Sequence, residues 1–304
     1  MSDTYLKVEN LSIALGATGS RVLRSVDLAV RSGEVHGLVG ESGAGKSMIG
    51  KAIVNVLPRA VRIIEGSIHV DGQNLVTLSD RERLQLIGTK TAIIPQDPMT
   101  ALNPSRRILS QITDRLTHSL GWDKRRADAR AHEILEEVQI RDIPRVLKSY
   151  PHELSGGMRQ RVLIAAAFAA EPRLIIADEP TTALDVTVQK QILKLIAELQ
   201  KRHGTALLFV THDMGVVAKI CQNVSVLYAG KVVEQTDVKS LFEQPSHIYS
   251  KALIAATPRY DQPDQSLTPV DSTVTEALAQ EIAATDRAWS SSPGQQTDGG
   301  LGHG

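Results

Sequence analysis

Eight residues, Gly40-Glu41-Ser42-Gly43-Ala44-Gly45-Lys46-Ser47, carry the densest chemistry in this chain. They fit G-x-x-x-x-G-K-[ST]. In that pattern glycines let the backbone curl around a phosphate, so that several N–H groups and a helix N-terminus point at the anion. Lys46 adds a point charge suited to the β- and γ-phosphates of a nucleotide, and the Ser47 hydroxyl is placed to ligate Mg²⁺. Such a loop needs a strand entering and a helix leaving. Val35, Leu38 and Val39 read as the strand, and Met48 to Leu57 as the helix, stopped by Pro58. A glycine-rich turn that matched by accident would lack both flanks.

A second constellation is Leu174-Ile175-Ile176-Ala177-Asp178-Glu179, an apolar run ending in two acids. A buried strand of this kind delivers carboxylates to the C-terminal edge of a parallel sheet, where ligands of such sheets bind. Asp178 suits Mg²⁺, held directly or through water, and Glu179 is placed to orient and polarise an attacking water. Alone, the run reads as a strand ending in a solvated acidic turn. Beside the 40–47 loop, the chemical reading prevails.

The third is Leu154-Ser155-Gly156-Gly157-Met158-Arg159-Gln160-Arg161. Ser155 can cap the helix that follows, and two glycines leave that helix's first N–H groups uncovered. This is a second anion site, and one γ-phosphate cannot easily use both from one subunit. The arrangement makes sense if two such domains face each other and each segment closes over the partner's nucleotide.

These residues need a scaffold, and its rhythm is legible. Residues 5 to 30 alternate apolar and polar positions around Gly16-Ala17-Thr18-Gly19, as antiparallel hairpin strands do, and residues 67 to 76 continue them through an Asp71-Gly72 turn. Residues 81 to 153 are rich in Arg, Glu, Leu and Ile at helical spacing and read as a mostly helical insert. From residue 162 helix and strand alternate: a helix to Ala170, strand Leu174 to Ala177, helix Val188 to His203, strand Ala206 to Thr211. That order predicts an α/β fold with a mostly parallel sheet covered on both faces. Val224 to Tyr228 and Lys231 to Val233 form a late hairpin at Ala229-Gly230, and after about Pro258 the composition turns to Gln, Asp, Ser, Thr and Gly. The end, Ser290 to Gly304, is expected to be disordered.

Totals narrow the classes. With 34 basic and 34 acidic residues the net charge is zero, so composition gives no broad nucleic-acid footprint. Cys221 is the only cysteine, which excludes an internal disulfide or a cysteine-rich metal cluster, and it reads as an inert buried thiol. Met1 to Asn10 lacks the pattern of a signal peptide, and the longest apolar stretch, Val162 to Ala170, is too short to span a bilayer. Any work at a membrane is expected from one face, with another chain crossing.

Taken together, the motifs resemble those of the ATP-binding cassette (ABC) ATPases over roughly residues 5 to 258. The resemblance implies a P-loop fold with a mostly parallel core sheet, an antiparallel β subdomain, and a helical subdomain of about 97–165 within an ATPase domain of 1–258. It implies that Gln96 senses Mg²⁺ and water and links to a transmembrane partner. Ser155, Gly156 and Gly157 become the signature acting in trans, Ala183-Leu184-Asp185 the loop coupling two sites, and His212 the histidine contacting the γ-phosphate. As isolated residues Gln96, Asp185 and His212 are a loop residue, a helix cap and a strand-end histidine. Pro95-Gln96-Asp97-Pro98-Met99-Thr100-Ala101-Leu102-Asn103-Pro104 and His247-Ile248-Tyr249-Ser250-Lys251-Ala252-Leu253 resemble stretches of bacterial dipeptide, oligopeptide and nickel importer ATPases.

The resemblance therefore implies ATP and Mg²⁺ as ligands, a second ABC ATPase subunit, two permease subunits and, indirectly, an extracytoplasmic solute-binding protein. The site of work is the cytoplasmic face of the bacterial inner membrane, and peptides are the expected cargo, with nickel, opines and oligosaccharides as alternatives. A soluble ATPase acting on nucleic acid or ribosomes is disfavoured, because the chain carries one cassette, no sustained heptads and no zinc cysteines. A module that has lost catalysis is disfavoured because Lys46, Asp178, Glu179 and His212 are all present. Three positions depart from the family pattern. Leu15 stands where an aromatic residue usually stacks on adenine, and the cysteine-rich C-terminal segment is missing, so no iron–sulfur cluster is expected. The His-Pro-Tyr pattern reads His247-Ile248-Tyr249.

Overall fold

The computed structural model describes residues 4–16, 18–182, 184–256 and 272–290. Alternating apolar positions make Thr4–Leu15 (β1) and Arg21–Arg31 (β2) an antiparallel pair, with Leu6 opposite Val30 and Ile13 opposite Leu23. Val35–Val39 (β3) is buried at every position and belongs to a second sheet. Val61–Val70 (β4) pairs with β1 and turns at Asp71-Gly72 into Gln73–Asn74 (β5), giving a four-stranded sheet of order β2-β1-β4-β5. β4 starts six residues earlier than the expected 67–76. Its first half is only half-buried, so the sequence there lacks a clean two-residue alternation.

Thr91–Ile94 (β6), Leu174–Asp178 (β7), Ala206–Thr211 (β8), Asn223–Tyr228 (β9) and Lys231–Asp237 (β10) complete a six-stranded sheet, ordered β10-β9-β3-β8-β7-β6. All neighbours in it run parallel except β9 and β10. Two-residue alternation splits its side chains between two cores. Leu174, Ile176, Leu208 and Val210 face the antiparallel sheet's core, while Ile175, Ala177, Leu207 and Phe209 face the helical one. Each buried Leu, Ile, Val or Phe among them contributes about 1.5–3 kcal/mol, so the sheet cannot slip register by one residue without losing both cores.

Lys46–Ile53 (α1) is shorter than the expected 48–57. Asn55 adopts φ 56°, Val56 N–H reaches back to the Lys51 carbonyl at 2.9 Å, and so the helix closes through a left-handed C-terminal turn before Pro58. Asp80–Lys90 (α2) opens on a capping box between Ser79 and Glu82. Between it and the helical region runs β6, a strand inside the stretch read as helical insert. Four residues are too few to show a period.

Pro98–Ala101 (α3) buries no side chain, while Ile108–His118 (α4), Lys124–Glu137 (α5), Ile143–Lys148 (α6) and Gly156–Ala169 (α7) pack on one core. Val186–His203 (α8), Met214–Ile220 (α9) and Val238–Glu243 (α10) follow. The chain divides into a compact unit over Met1–Glu243 and a second over Gln244–Gly304. The second contains Ile248–Ala255 (α11), capped by His247 Nδ1 accepting from Tyr249 N–H at 3.1 Å, and Ser272–Ser290 (α12). That cap supplies a mechanical role for the histidine of the 247–253 stretch. A 19-residue helix in the polar tail was not expected, and positions 291–304 of the expected disordered end lie outside the described residues. No helix among the described residues is long and apolar enough to cross a membrane.

Candidate nucleotide site

The phosphate loop is held from three sides. β3 leads in and α1 leads out, while the Ala229-Gly230 turn between β9 and β10 closes the back. Gly230 N–H donates to the Ala44 carbonyl at 2.8 Å, and Arg24 Nη1 to the Ala229 carbonyl at 2.6 Å. A Cβ at Gly40 would collide with the Leu227 carbonyl of β9. Gly45, at φ 102°, turns the chain into the helix. Both positions require glycine, one for space and one for backbone sign. The side chain of Lys46 is only 5% exposed, and Nζ donates to the carbonyls of Gly40 at 2.8 Å and Glu41 at 2.9 Å. Burial lowers its pKa, opposed by the charges of Glu179, Asp178 and Glu41.

The end of β7 meets this loop. Ser47 Oγ donates to Asp178 Oδ1 at 2.8 Å. Burial raises the Asp178 pKa against that hydrogen bond. Glu179 follows in a left-handed conformation, φ 46°, with its N–H on the Val210 carbonyl at 2.9 Å. That backbone turn swings its carboxylate to the sheet edge. Oε1 lies 3.1 Å from His212 Nδ1 and 3.9 Å from Lys46 Nζ, while Oε2 accepts from Thr182 Oγ1 at 2.9 Å and Gln96 Nε2 at 3.3 Å. Burial would raise its pKa, but the His212 and Thr182 bonds with the nearby positive charge outweigh it and hold the group below the ordinary carboxylate range. Gln96, Glu179 and His212, 83 and 33 residues apart along the chain, thus share one carboxylate.

The donors here are a hydroxyl, a carboxylate and a side-chain amide, all hard oxygen ligands that suit Mg²⁺. Among the described residues no group of three or more His, Cys, Asp or Glu gathers to hold a metal unaided.

Ser155, Gly156 and Gly157 stand apart from the cluster. Ser155 Oγ caps α7 by accepting from Met158 N–H at 3.3 Å, and a Cβ at Gly156 would meet no atom within 4 Å. Asp185 caps α8, accepting from Thr187 N–H at 3.1 Å and Val188 N–H at 2.9 Å. Ala183 lies outside the described residues. Leu15 ends β1 opposite Val61 and is 37% exposed. The neighbouring pair Ala14–Arg21 adjoins Val22, whose carbonyl would lie 3.5 Å from a Cβ on Gly45, so β2 next to this end of β1 approaches the phosphate loop. Tyr5, at the far end of β1, is 3% exposed and packs under Arg173 at 5.4 Å. Burial drives the Cys221 thiol pKa to about 12, as an inert thiol requires.

Three partners escaped the sequence reading. Thr182 binds the Glu179 carboxylate, Gln160 donates to the Pro180 carbonyl at 2.7 Å, and Gln189 Nε2 donates to Asp213 Oδ2 at 3.3 Å beside His212. Thr182 carried a faint signal, a hydroxyl three residues after a catalytic-type acid; the two glutamines lie about one turn into α7 and α8 and carried none.

The ABC transporter family pattern matches residues 23–182. The probable peptide ABC transporter ATP-binding protein y4tR of Sinorhizobium fredii is 47% identical over 251 residues, 82% of this chain and 75% of the relative. The probable D,D-dipeptide transport ATP-binding protein DdpD of Escherichia coli is 43% identical, over 90% of this chain and 84% of the relative. The ATP-binding cassette MJ0796, solved as a dimer in a post-hydrolysis state bound to ADP and Pi, superposes with a TM-score of 0.67 at 27% identity, over 77% of this chain and 98% of that one. Similarity of this extent, over most of the chain, means that this protein belongs to the ABC transporter family as a nucleotide-binding ATPase subunit.

Proposed function

We propose that this chain is the energy-coupling subunit of a bacterial importer whose cargo is peptides, working on the cytoplasmic face of the inner membrane. Residues 1–258 serve as its ATPase domain, with about 97–165 as the helical subdomain that meets the permeases. It pairs with a second ABC ATPase subunit, identical or related, and drives two permease subunits supplied by an extracytoplasmic solute-binding protein. Similarity to the peptide transport protein y4tR and the D,D-dipeptide transport protein DdpD supports the cargo, and the dimer of MJ0796 supports the pairing.

The observation that carries the catalytic reading is the convergence of Gln96, Thr182, His212 and Lys46 on the Glu179 carboxylate. Backbone N–H groups of 40–47 and Lys46 bind the β- and γ-phosphates, and Ser47, Gln96 and Asp178 would hold Mg²⁺. When bound, that ion neutralises phosphate charge. Glu179 accepts a hydrogen bond from the attacking water, whose oxygen bonds to the γ-phosphorus as the bond to the ADP oxygen breaks. The carboxylate orients and polarises that water. His212 steadies both the carboxylate and the γ-phosphate. Ser155, Gly156 and Gly157 dock on the partner's nucleotide, and Asp185 fixes the start of α8 at the facing surface. Steady-state ATPase assays on Glu179→Gln, with nucleotide binding measured separately, test this reading. Turnover close to wild type would sink it.

A further inference from the structure

Gln160 sits one turn into α7 and is 1% exposed. Its Nε2 donates at 2.7 Å to the carbonyl of Pro180, the residue directly after Glu179. The segment it grips is tightly folded. Glu179 is left-handed, Thr182 N–H returns to the Glu179 carbonyl at 3.1 Å, and the Thr182 hydroxyl holds the Glu179 carboxylate. A shift of the Pro180 carbonyl therefore turns the carboxylate with it. The same α7 begins at Ser155, Gly156 and Gly157, where it is open to a partner. Apolar packing of Ile164 and Phe168 keeps α7 on the core, but such contacts are non-directional. A short buried hydrogen bond is directional, and losing its donor leaves the Pro180 carbonyl unsatisfied.

We propose that Gln160 is a positioning residue that ties the open end of α7 to the Glu179 carboxylate of its own protomer. Docking of Ser155–Gly157 on the partner's nucleotide then sets the carboxylate that works on the protomer's own nucleotide. The two sites of a closed pair are linked through one side chain inside each subunit. This rests on the reading that Glu179 orients the water and that α7 acts in trans.

Two variants test it in the assembled transporter. Gln160→Met keeps length and volume without a donor, and Gln160→Asn keeps the amide but falls one methylene short. Each is measured alone and on a Glu179→Gln background. The expected result is unchanged ATP affinity, kcat lowered about tenfold with KM within about twofold, and ATP-driven closure retained on the Glu179→Gln background. A purely structural role would instead lower affinity, closure and thermal stability together. Normal kcat in both variants overturns the proposal, and so does loss of closure on the background, since Gln160 would then serve α7 alone. If Glu179→Gln by itself kept turnover, the underlying reading of Glu179 would fall and this coupling with it, a result seen without touching Gln160.

Discussion

The parallel sheet carries a glutamate–histidine pair at each end, and the two behave differently. At the end where β3 begins, His36 Nδ1 lies 3.2 Å from Glu34 Oε1, and its Nε2 meets Ser225 Oγ at 2.9 Å. The side chains are 1% and 8% exposed. At the opposite edge His212 meets Glu179 at a similar distance, but the histidine side chain is 51% exposed. Both glutamates are held below the ordinary carboxylate range, because hydrogen-bond donors outweigh burial in each. A perturbed carboxylate beside a histidine therefore does not mark a catalytic site. What separates the pairs is surroundings. Glu179 has Lys46 at 3.9 Å and stands where parallel strands present ligand-binding residues, whereas Glu34 spends its oxygens on Arg31 N–H and Asn223.

The sharpest way to break this contrast is to remove the same charge at both ends. Glu179→Gln is expected to leave ATP binding nearly intact and to lower turnover by about 10²–10⁴-fold, the usual worth of a positioned acid–base group. Because a neutral amide still accepts from Thr182, the fold should survive. ATPase rates with separate binding titrations decide it. Turnover within a few-fold of wild type would place Glu179 with Glu34, as structure rather than chemistry.

A second contrast lies between the self-paired cluster and the open end of α7. On the proposed trans arrangement, Gly156→Asp puts a negative charge where a partner's γ-phosphate would dock. An acid in the first turn of a helix is otherwise favourable, and a Cβ there meets nothing within 4 Å, so folding is not expected to suffer. ATP should bind the isolated subunit as before, while ATP-driven pairing is lost and turnover falls about a hundredfold. Crosslinking across the closed interface measures pairing. Closure equal to wild type would show that Ser155–Gly157 does not face the partner's phosphate.

How much of this was legible follows from which physics each feature uses. The phosphate loop, the acid-ended strand and the Ser155 cap are local patterns, and they appear where their spacing predicts. β6 and the first half of β4 were missed because each depends on a partner strand rather than on its own alternation. The end of α1 was assigned to Pro58 because the Asn55 turn is a matter of backbone sign that asparagine permits without requiring. Gln160, Gln189 and the Glu34–His36 pair have no local signature. Their meaning comes from Pro180, Asp213 and Ser225, brought close by the sheet.

The Glu34 end supplies the third test. Glu34→Gln removes a charge from a buried, fully bonded group, and should cost about 1–3 kcal/mol of stability while turnover per folded molecule stays within about twofold. The pH dependence has a definite sign. The folded Glu34 pKa is depressed below its ordinary 4.5, so its contribution is complete above that value and is lost as pH falls through the folded pKa. Urea unfolding of both proteins should show a gap at neutral pH that closes in acid. A gap that widened in acid would mean that the neutral form of Glu34 is the one the fold prefers.

The smallest effect is expected at Leu15, at the end of β1. Base–aromatic stacking is worth about 1–3 kcal/mol per base, and about 1.4 kcal/mol is tenfold in affinity. On the reading that adenine lies against residue 15, a leucine offers apolar contact without a π-face, and part of that gain is absent. Tyr5 cannot supply it from within the chain, because it is buried at the far end of β1 under Arg173. Leu15 is partly exposed at the end of its strand and opposite Val61, where a larger side chain meets solvent before it meets core. Leu15→Tyr is therefore expected to tighten ATP binding several-fold with little change in preference among bases, since every base has a face to stack. Calorimetric titration with ATP and GTP reads both quantities. Equal affinities in the two proteins would show that the base does not lie against residue 15, or that a partner chain already covers it. The end of β1 would then belong with the open end of α7, as a surface finished by the second subunit.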